Sequence, residues 1–392
     1  MIANLTHYMD FPESIVNIFE KIHQSKPQLV VRAPGRINLI GEHTDYNDGF
    51  VLPASVNKGI YFAISNRADE TCSVLAADFN DSFEFNINHL EKSDKDWPNY
   101  LMGAVQQITK KDTIKGFDLV FGGDIPSGAG MSSSAALESG LLFALNELNG
   151  LKIPKLELVK MAQRTENEFV GLNCGIMDMF ASVMGKKNAV IQLDCRSLEY
   201  YYFPFQAEDI SILLCNTGVK HSLADSAYNQ RRQECEEGVA ILKNTYPEIT
   251  SLRSVSMQQL QSCKNMMSET VFKRCRYVVS EIDRVMAACE DLERHNFVAF
   301  GKKMFETHIG LRDDYEVSCK ELDFLVESAK FPSLDVFGAR LMGGGFGGCT
   351  INLVKTKTVE DFKTSISAAY KAEFGIDLEI YEVEIVDGVS LA

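Results

Sequence analysis

Pro126-Ser-Gly-Ala-Gly-Met-Ser-Ser-Ser-Ala-Ala136 is the stretch on which the fold turns. It follows a run of β-formers at 117–121 and opens into 131–148, where Ala, Leu and Glu dominate and apolar residues recur at helical spacing. The pattern reads as strand, loop and helix. Gly128 and Gly130 lack Cβ atoms, so backbone amides there can approach an anion, and the unpaired N–H groups and dipole of a first helical turn attract one. Ser132, Ser133 or Ser134 could cap the helix, bond a phosphate oxygen or ligate a divalent cation. The same residues also suit a plain helix cap after a flexible turn, and the loop alone does not choose. It is not a P-loop, because GxxxxGK[ST] needs a lysine after its last glycine and Met131 follows Gly130.

A second cluster, Gly343-Gly-Gly-Phe-Gly-Gly, formally satisfies GxGxxG at Gly343, Gly345 and Gly348. In a dinucleotide fold a helix would follow, whereas Cys349-Thr-Ile-Asn-Leu-Val continues as a strand, so the Rossmann reading is rejected. What remains is a tight strand-to-strand loop, or a close backbone approach that supports the first loop or the substrates.

Upstream, Arg36-Ile-Asn-Leu-Ile-Gly-Glu-His-Thr-Asp-Tyr-Asn-Asp-Gly49 puts a guanidinium, carboxylates, an imidazole and amides within fourteen residues. A polyhydroxylated ligand needs such density, since each hydroxyl both donates and accepts. A solvated loop is the bland alternative, but Leu39 and Ile40 interleaved among the polar groups point to a partly packed segment. Strands are expected at 29–33, 59–66, 71–76 and 82–87, and the first helix of any length near Trp97. Further helices are expected at 156–170 and 176–183, a mostly helical region at 224–292, and strands at 189–193, 210–215, 350–354 and 378–386.

The 392 residues exceed one typical core and suit two domains of roughly 150 to 200 residues. The boundary falls between Phe203 and Ile210, giving domains 1–205 and 206–392 with a cleft between them. A formal charge of −15 argues against binding nucleic acid, where clustered Lys and Arg would carry affinity. Charged residues interrupt the first thirty positions, and no apolar run approaches the ~18–20 residues of a membrane span, so a cytoplasmic, non-membrane protein is expected. Ten cysteines without a CxxC pair read as mostly buried, reduced thiols rather than a zinc site or disulfide framework. Asp178 fits the first turn of a short helix, which its charge favours. Glu166 and Glu168 are equally plausible acids on one helix, Trp97 suits a core anchor or a base platform, and His221 reads as structural or peripheral.

With these motifs in view the chain resembles the galactokinases. GRINLIGEHTDYNDGFVLP at 35–53 looks like their signature, and IPSGAGMSSSAALESG at 125–140 and LMGGGFGGCTI at 341–351 resemble the ATP-binding and third glycine-rich motifs of the wider GHMP kinase group. NCGIMDMFASVMG at 173–185 and VKHSLADSAYNQRRQECE at 219–236 strengthen the match, which runs from about residue 12 to 390. The resemblance implies an α+β, two-domain GHMP-kinase-like fold with mixed sheets and helices and an active site in the interdomain cleft. It implies transfer of the γ-phosphoryl group of ATP, with Mg²⁺, to the C1 hydroxyl of α-D-galactose, the committed step of galactose catabolism. Arg36, Glu42, His43 and Asp45 would lie at the sugar with Gly175, Asp178 and Tyr228. Gly128, Gly130, Ser132, Ser133 and Ser134 would hold ATP, with Trp97 and Tyr100 near the adenine and Ser134 and Glu166 at the metal. Asp178 and Arg36 would be catalytic. One position departs from the pattern: Met179 follows Asp178 where many relatives carry Gln. The rival readings are an N-acetylgalactosamine kinase, a mevalonate or homoserine kinase, and an inactive galactose and ATP sensor. The intact GEHTDYN segment argues against the second, and the complete Ser132 to Ala136 run against the third. The expected partners are small molecules. The oligomeric state is open, with a monomer the default.

Overall fold

The computed structural model describes residues 11–126, 128–205, 209–219 and 224–392. Ser127, His221 and part of the expected boundary therefore lie outside the described residues. Among the described residues, three sheets organise the fold. A six-stranded sheet runs Ser390–Leu391, Leu29–Asn38, Pro53–Asn66, Phe117–Gly123, Thr71–Ala76, Asp81–Asn86, all antiparallel except where Thr71–Ala76 lies parallel to Phe117–Gly123. An antiparallel four-stranded sheet runs Val336–Leu341, Cys349–Lys355, Ile210–Asn216, Glu379–Val383. Phe50–Val51, Ala189–Asp194 and Tyr200–Pro204 form the third. The architecture is α+β with mixed sheets, as the sequence implies.

Helix Ser133–Leu148 is apolar almost all round, and it is buried from Ala135 to Asn146 against the six-stranded sheet. Gly140 makes the close approach possible, since a Cβ there would meet Phe62 Cε2 at 2.2 Å. The N-terminal core joins Phe62, Phe117, Leu141 and Phe180. A second apolar cluster joins Ile37, Leu39 and Met131 to Leu214, Phe300 and Met342, so elements from both halves of the chain share the floor beneath the two glycine-rich loops.

Several helices depart from the sequence expectation. Phe11–His23 precedes the helix at Trp97 and packs Ile15 and Phe19 onto the first sheet. Phe297–Asp313, Lys320–Ala329 and Val359–Phe374 extend the helical content beyond 224–292. The strands at 29–33 and 59–66 run further than expected, to Leu29–Asn38 and Pro53–Asn66. The glycine cluster is a strand-to-strand loop between Val336–Leu341 and Cys349–Lys355. All ten cysteines are free and seven are buried. Among the described residues, no helix is long and apolar enough to cross a membrane.

Candidate active site

Strand Leu29–Asn38 slips register between Pro34 and Arg36, a bulge that re-aims the side chains beyond it. Arg36 is delivered to the meeting point of two cavities. One, of about 240 Å³, is lined by Glu42, His43, Asp45, Gly175, Asp178 and Tyr228. The other, of about 510 Å³, is lined by Gly128, Gly130 and Ser132 to Ser134. Arg36 and the glycine loop from Gly343 to Phe346 line both.

Asp178 enters on the first turn of helix Met177–Met184, where the dipole favours its charge. Arg36 grips it in a fork: Nε donates to Oδ1 at 2.8 Å and Nη2 to Oδ2 at 2.6 Å. A third donor of Arg36, Nη1, bonds the Gly130 carbonyl. Burial opposes the Arg36 charge, but Asp178, Glu42 and Asp45 more than offset it and raise its pKa. Ser132 stands at the N-cap of helix Ser133–Leu148 with a left-handed φ of 54°, yet it does not cap. Its hydroxyl donates to Asp178 Oδ2 instead. The phosphate loop and the candidate base are thus directly bonded.

Glu42 is buried and its Oε1 accepts from the Gly343 amide at 2.8 Å and from Arg340 Nη2 at 3.0 Å. Arg340 is fully buried and also donates to the carbonyls of Asn38, Leu39 and Leu341. Sequence reasoning passes over it. The available signal is a lone arginine inside the apolar strand Val336–Leu341. His43 has a left-handed φ of 61°. Burial holds its imidazole down to about 4, which leaves the ring neutral at ordinary pH. Burial, then the charge of Asp178, push Asp45 up to about 7. Gly175 is where only a glycine fits, because a Cβ there would lie 1.7 Å from Asp45 Oδ2. Tyr228, on helix Ala224–Thr245, places its ring 5.4 Å from that of His43.

The expected helix at 156–170 is regular only over Lys155–Arg164, and Thr165–Val170 widens into a π-helical turn. That widening separates the two acids. Glu166 faces the smaller cavity, buried, whereas Glu168 is exposed and bonds Lys110 at 2.7 Å and Gln107 at 3.1 Å. Burial raises the Glu166 carboxyl, and hydrogen bonds from Cys174 and Ser134 partly offset it. Glu138, one helical turn beyond Ser134, is fully buried with both oxygens unpartnered, and its pKa is raised by burial and by Glu166.

The two glycine-rich loops face each other. A Cβ on Gly343 would lie 3.7 Å from the Gly130 carbonyl and one on Gly348 3.4 Å from that of Gly128, the close approach foreseen for the second loop. Trp97 and Tyr100 line neither cavity. Both pack against the N-terminal core, where Trp97 Nε1 donates to Asp81 at 3.1 Å and the indole lies against Phe83 and Phe121. Met179 is buried in the same core and offers no polar group beside Asp178.

A cavity lined by carboxylates, an imidazole and a phenol, a clamped carboxylate and a glycine-lined cavity in series can orient an alcohol and a phosphate for in-line transfer. Residues 17–66 match the galactokinase galactose-binding signature, 99–186 the GHMP kinase N-terminal domain and 264–372 the GHMP kinase C-terminal domain. A galactokinase of Roseiflexus sp. is 42% identical over 372 residues, covering 95% of each chain. One of Thermotoga maritima is 42% identical over 360 residues, covering 92% of this chain and 99% of that one. The crystal structure of Lactococcus lactis galactokinase complexed with galactose superposes with a TM-score of 0.93 at 35% identity, covering 97% of this chain and 99% of that one. A mevalonate kinase at 19% identity and a TM-score of 0.63 shares the fold.

Proposed function

The chain belongs to the galactokinase family, and on that premise we propose that it transfers the γ-phosphoryl group of ATP to the C1 hydroxyl of α-D-galactose, giving α-D-galactose 1-phosphate and ADP. The observation that carries this reading is the Arg36–Asp178 fork at the junction of the two cavities. Asp178 Oδ2 is shared by Arg36 and Ser132, whereas Oδ1 accepts only from Arg36 Nε, which leaves a lone pair for the proton of the attacking hydroxyl. Arg36 neutralises charge as the phosphoryl group passes between sugar and ADP. Asp45, Glu42 and Tyr228 read the remaining hydroxyls, with Gly175 making room. Gly128, Gly130, Ser132, Ser133 and Ser134 receive the phosphates. We keep the division into 1–205 and 206–392 as the proposed domain boundary.

Ser134 and Glu166, near enough for the serine to lower the Glu166 carboxyl, are the oxygen donors that would hold Mg²⁺, and the unpartnered Glu138 carboxyl beside Glu166 fits a cation-binding region. When bound, the cation neutralises charge on the phosphates. Among the described residues no three His, Cys, Asp or Glu side chains are grouped to hold a metal alone, so the nucleotide would complete the coordination. The adenine contacts of Trp97 and Tyr100 stay outside this proposal, since both pack away from the two cavities.

The test is Mg²⁺-dependent ADP release with galactose and with N-acetylgalactosamine, for wild type and Asp178→Asn. The expected result is activity on galactose and a kcat lower by ~10²–10⁴-fold in the variant. Near-normal kcat in Asp178→Asn would reduce Asp178 to a sugar-positioning group. A wild type that binds both ligands without turnover would establish the sensor reading.

A further inference from the structure

Both ring nitrogens of His43 are occupied. Nε2 lies 3.2 Å from the Gly344 carbonyl and Nδ1 lies 2.7 Å from the Tyr46 hydroxyl. A carbonyl only accepts, so the neutral ring carries its proton on Nε2, and Nδ1 accepts from Tyr46. With its proton committed, the Tyr46 hydroxyl accepts from Tyr315 at 2.7 Å. Tyr315 is in turn 3.3 Å from the Cys235 thiol, which donates to it. One backbone carbonyl therefore sets the direction of the whole series, from Cys235 through two tyrosines and the imidazole to Gly344. The left-handed φ of 61° at His43 accompanies this placement of the ring.

The consequence is that His43 has no ring nitrogen left for a sugar hydroxyl, although it lines the sugar-side cavity. Its partner is the glycine loop. That loop has positive φ at Gly343, Gly345, Gly347 and Gly348, so its own backbone preferences hold it weakly. Two adjacent side chains of the sugar-reading segment anchor it: Glu42 takes the Gly343 amide and His43 holds the Gly344 carbonyl. The anchored residues line both cavities.

We propose that His43 couples sugar binding to nucleotide binding by tethering the glycine loop shared by the two cavities, with Tyr46 and Tyr315 as positioning residues that hold the aim of its ring. This rests on the kinase reading above and gives His43 a task other than hydrogen bonding to the sugar. A ligand that orders the loop from one side leaves less ordering for the ligand on the other, so the coupling is positive and reciprocal.

The experiment measures the affinity of a non-hydrolysable ATP analogue by calorimetry with and without saturating galactose, and the affinity of galactose with and without the analogue. In the wild type each ligand should tighten the other by about fivefold or more, by the same factor in both directions. In Tyr46→Phe, which removes only the donor to Nδ1, the factor should fall below about twofold while each ligand alone binds within about threefold of wild type. Tyr315→Phe should give an intermediate factor, and ¹⁵N imidazole shifts should show His43 protonated on Nε2 in the wild type and in Tyr46→Phe, with Nδ1 losing its hydrogen-bond shift in the variant. Independent binding in the wild type, or full coupling in a folded Tyr46→Phe, overturns the proposal. Failure of the wild type to bind galactose at all would instead sink the functional reading on which it stands.

Discussion

Replacing Gly175 by alanine would set a methyl carbon 1.7 Å from Asp45 Oδ2 and 2.2 Å from its carboxyl carbon. Real Cβ contacts stay beyond 3.0 Å, so the carboxylate must retreat by at least ~1.3 Å, the difference between 3.0 and 1.7. There is room for the retreat. A further cavity of about 440 Å³ lies against the same Asp45, Cys174 and Gly175, and the displaced side chain can move into it. The fold should therefore lose only ~1–3 kcal/mol, the usual range for one extra carbon in a packed site. Catalysis should suffer more, because a misplacement of about 1 Å in a positioning group costs on the order of 10²-fold. The assay is ADP release at varied galactose and saturating ATP, with thermal unfolding of the same preparations. Gly175→Ala should lower kcat/KM for galactose about 100-fold and leave KM for ATP within about threefold of wild type. A variant whose kcat/KM for galactose matched wild type would refute the argument, since Asp45 would then not need its observed place.

Two further outcomes follow from buried charge. Arg340→Met removes one partner of a fully buried pair and strips donors from three carbonyls, so urea unfolding should report a loss of ~3–5 kcal/mol. A loss under ~1 kcal/mol would mean that Glu42 does not depend on it. Asp45, raised to about 7 from 3.8, holds a proton in the folded state that the unfolded chain releases, so its contribution to stability falls as pH rises from about 4 to about 7. His43, lowered to about 4 from 6.5, contributes in the opposite sense over 4 to 6.5 and masks the trend in the wild type. Asp45→Asn should expose it: wild type minus variant should decline by on the order of 4 kcal/mol across that window, and a flat difference would contradict the raised carboxyl.

What could be read from the sequence was local. The strand, loop and helix around Pro126 to Ala136, the dense polar segment after Arg36 and the first-turn Asp178 each declare themselves within fifteen residues, where backbone preferences and spacing carry the signal. What could not be read depends on distant partners or on a change of helical pitch. Ser132 looks like a helix cap until Asp178 arrives to take its hydroxyl. Glu166 and Glu168 are indistinguishable by charge, and the π-helical turn separates them. The spacing of His43 says nothing of Tyr46 and Gly344, the partners that occupy its ring nitrogens in the fold. The helix Phe11–His23 is amphipathic, but the sheet that covers its apolar face is assembled from strands elsewhere in the chain.

Ser390–Leu391 pairs with Val31 and Arg32 on the strand that carries Arg36. A segment made early in synthesis thus shares a ladder with one made much later. During synthesis the outer backbone groups of strand Leu29–Asn38 stay uncovered until residues 390–391 emerge, an interval in which they can template pairing with another nascent chain. Closing that edge waits for residues 390–391, so the strand that carries Arg36 gains its outer partner late.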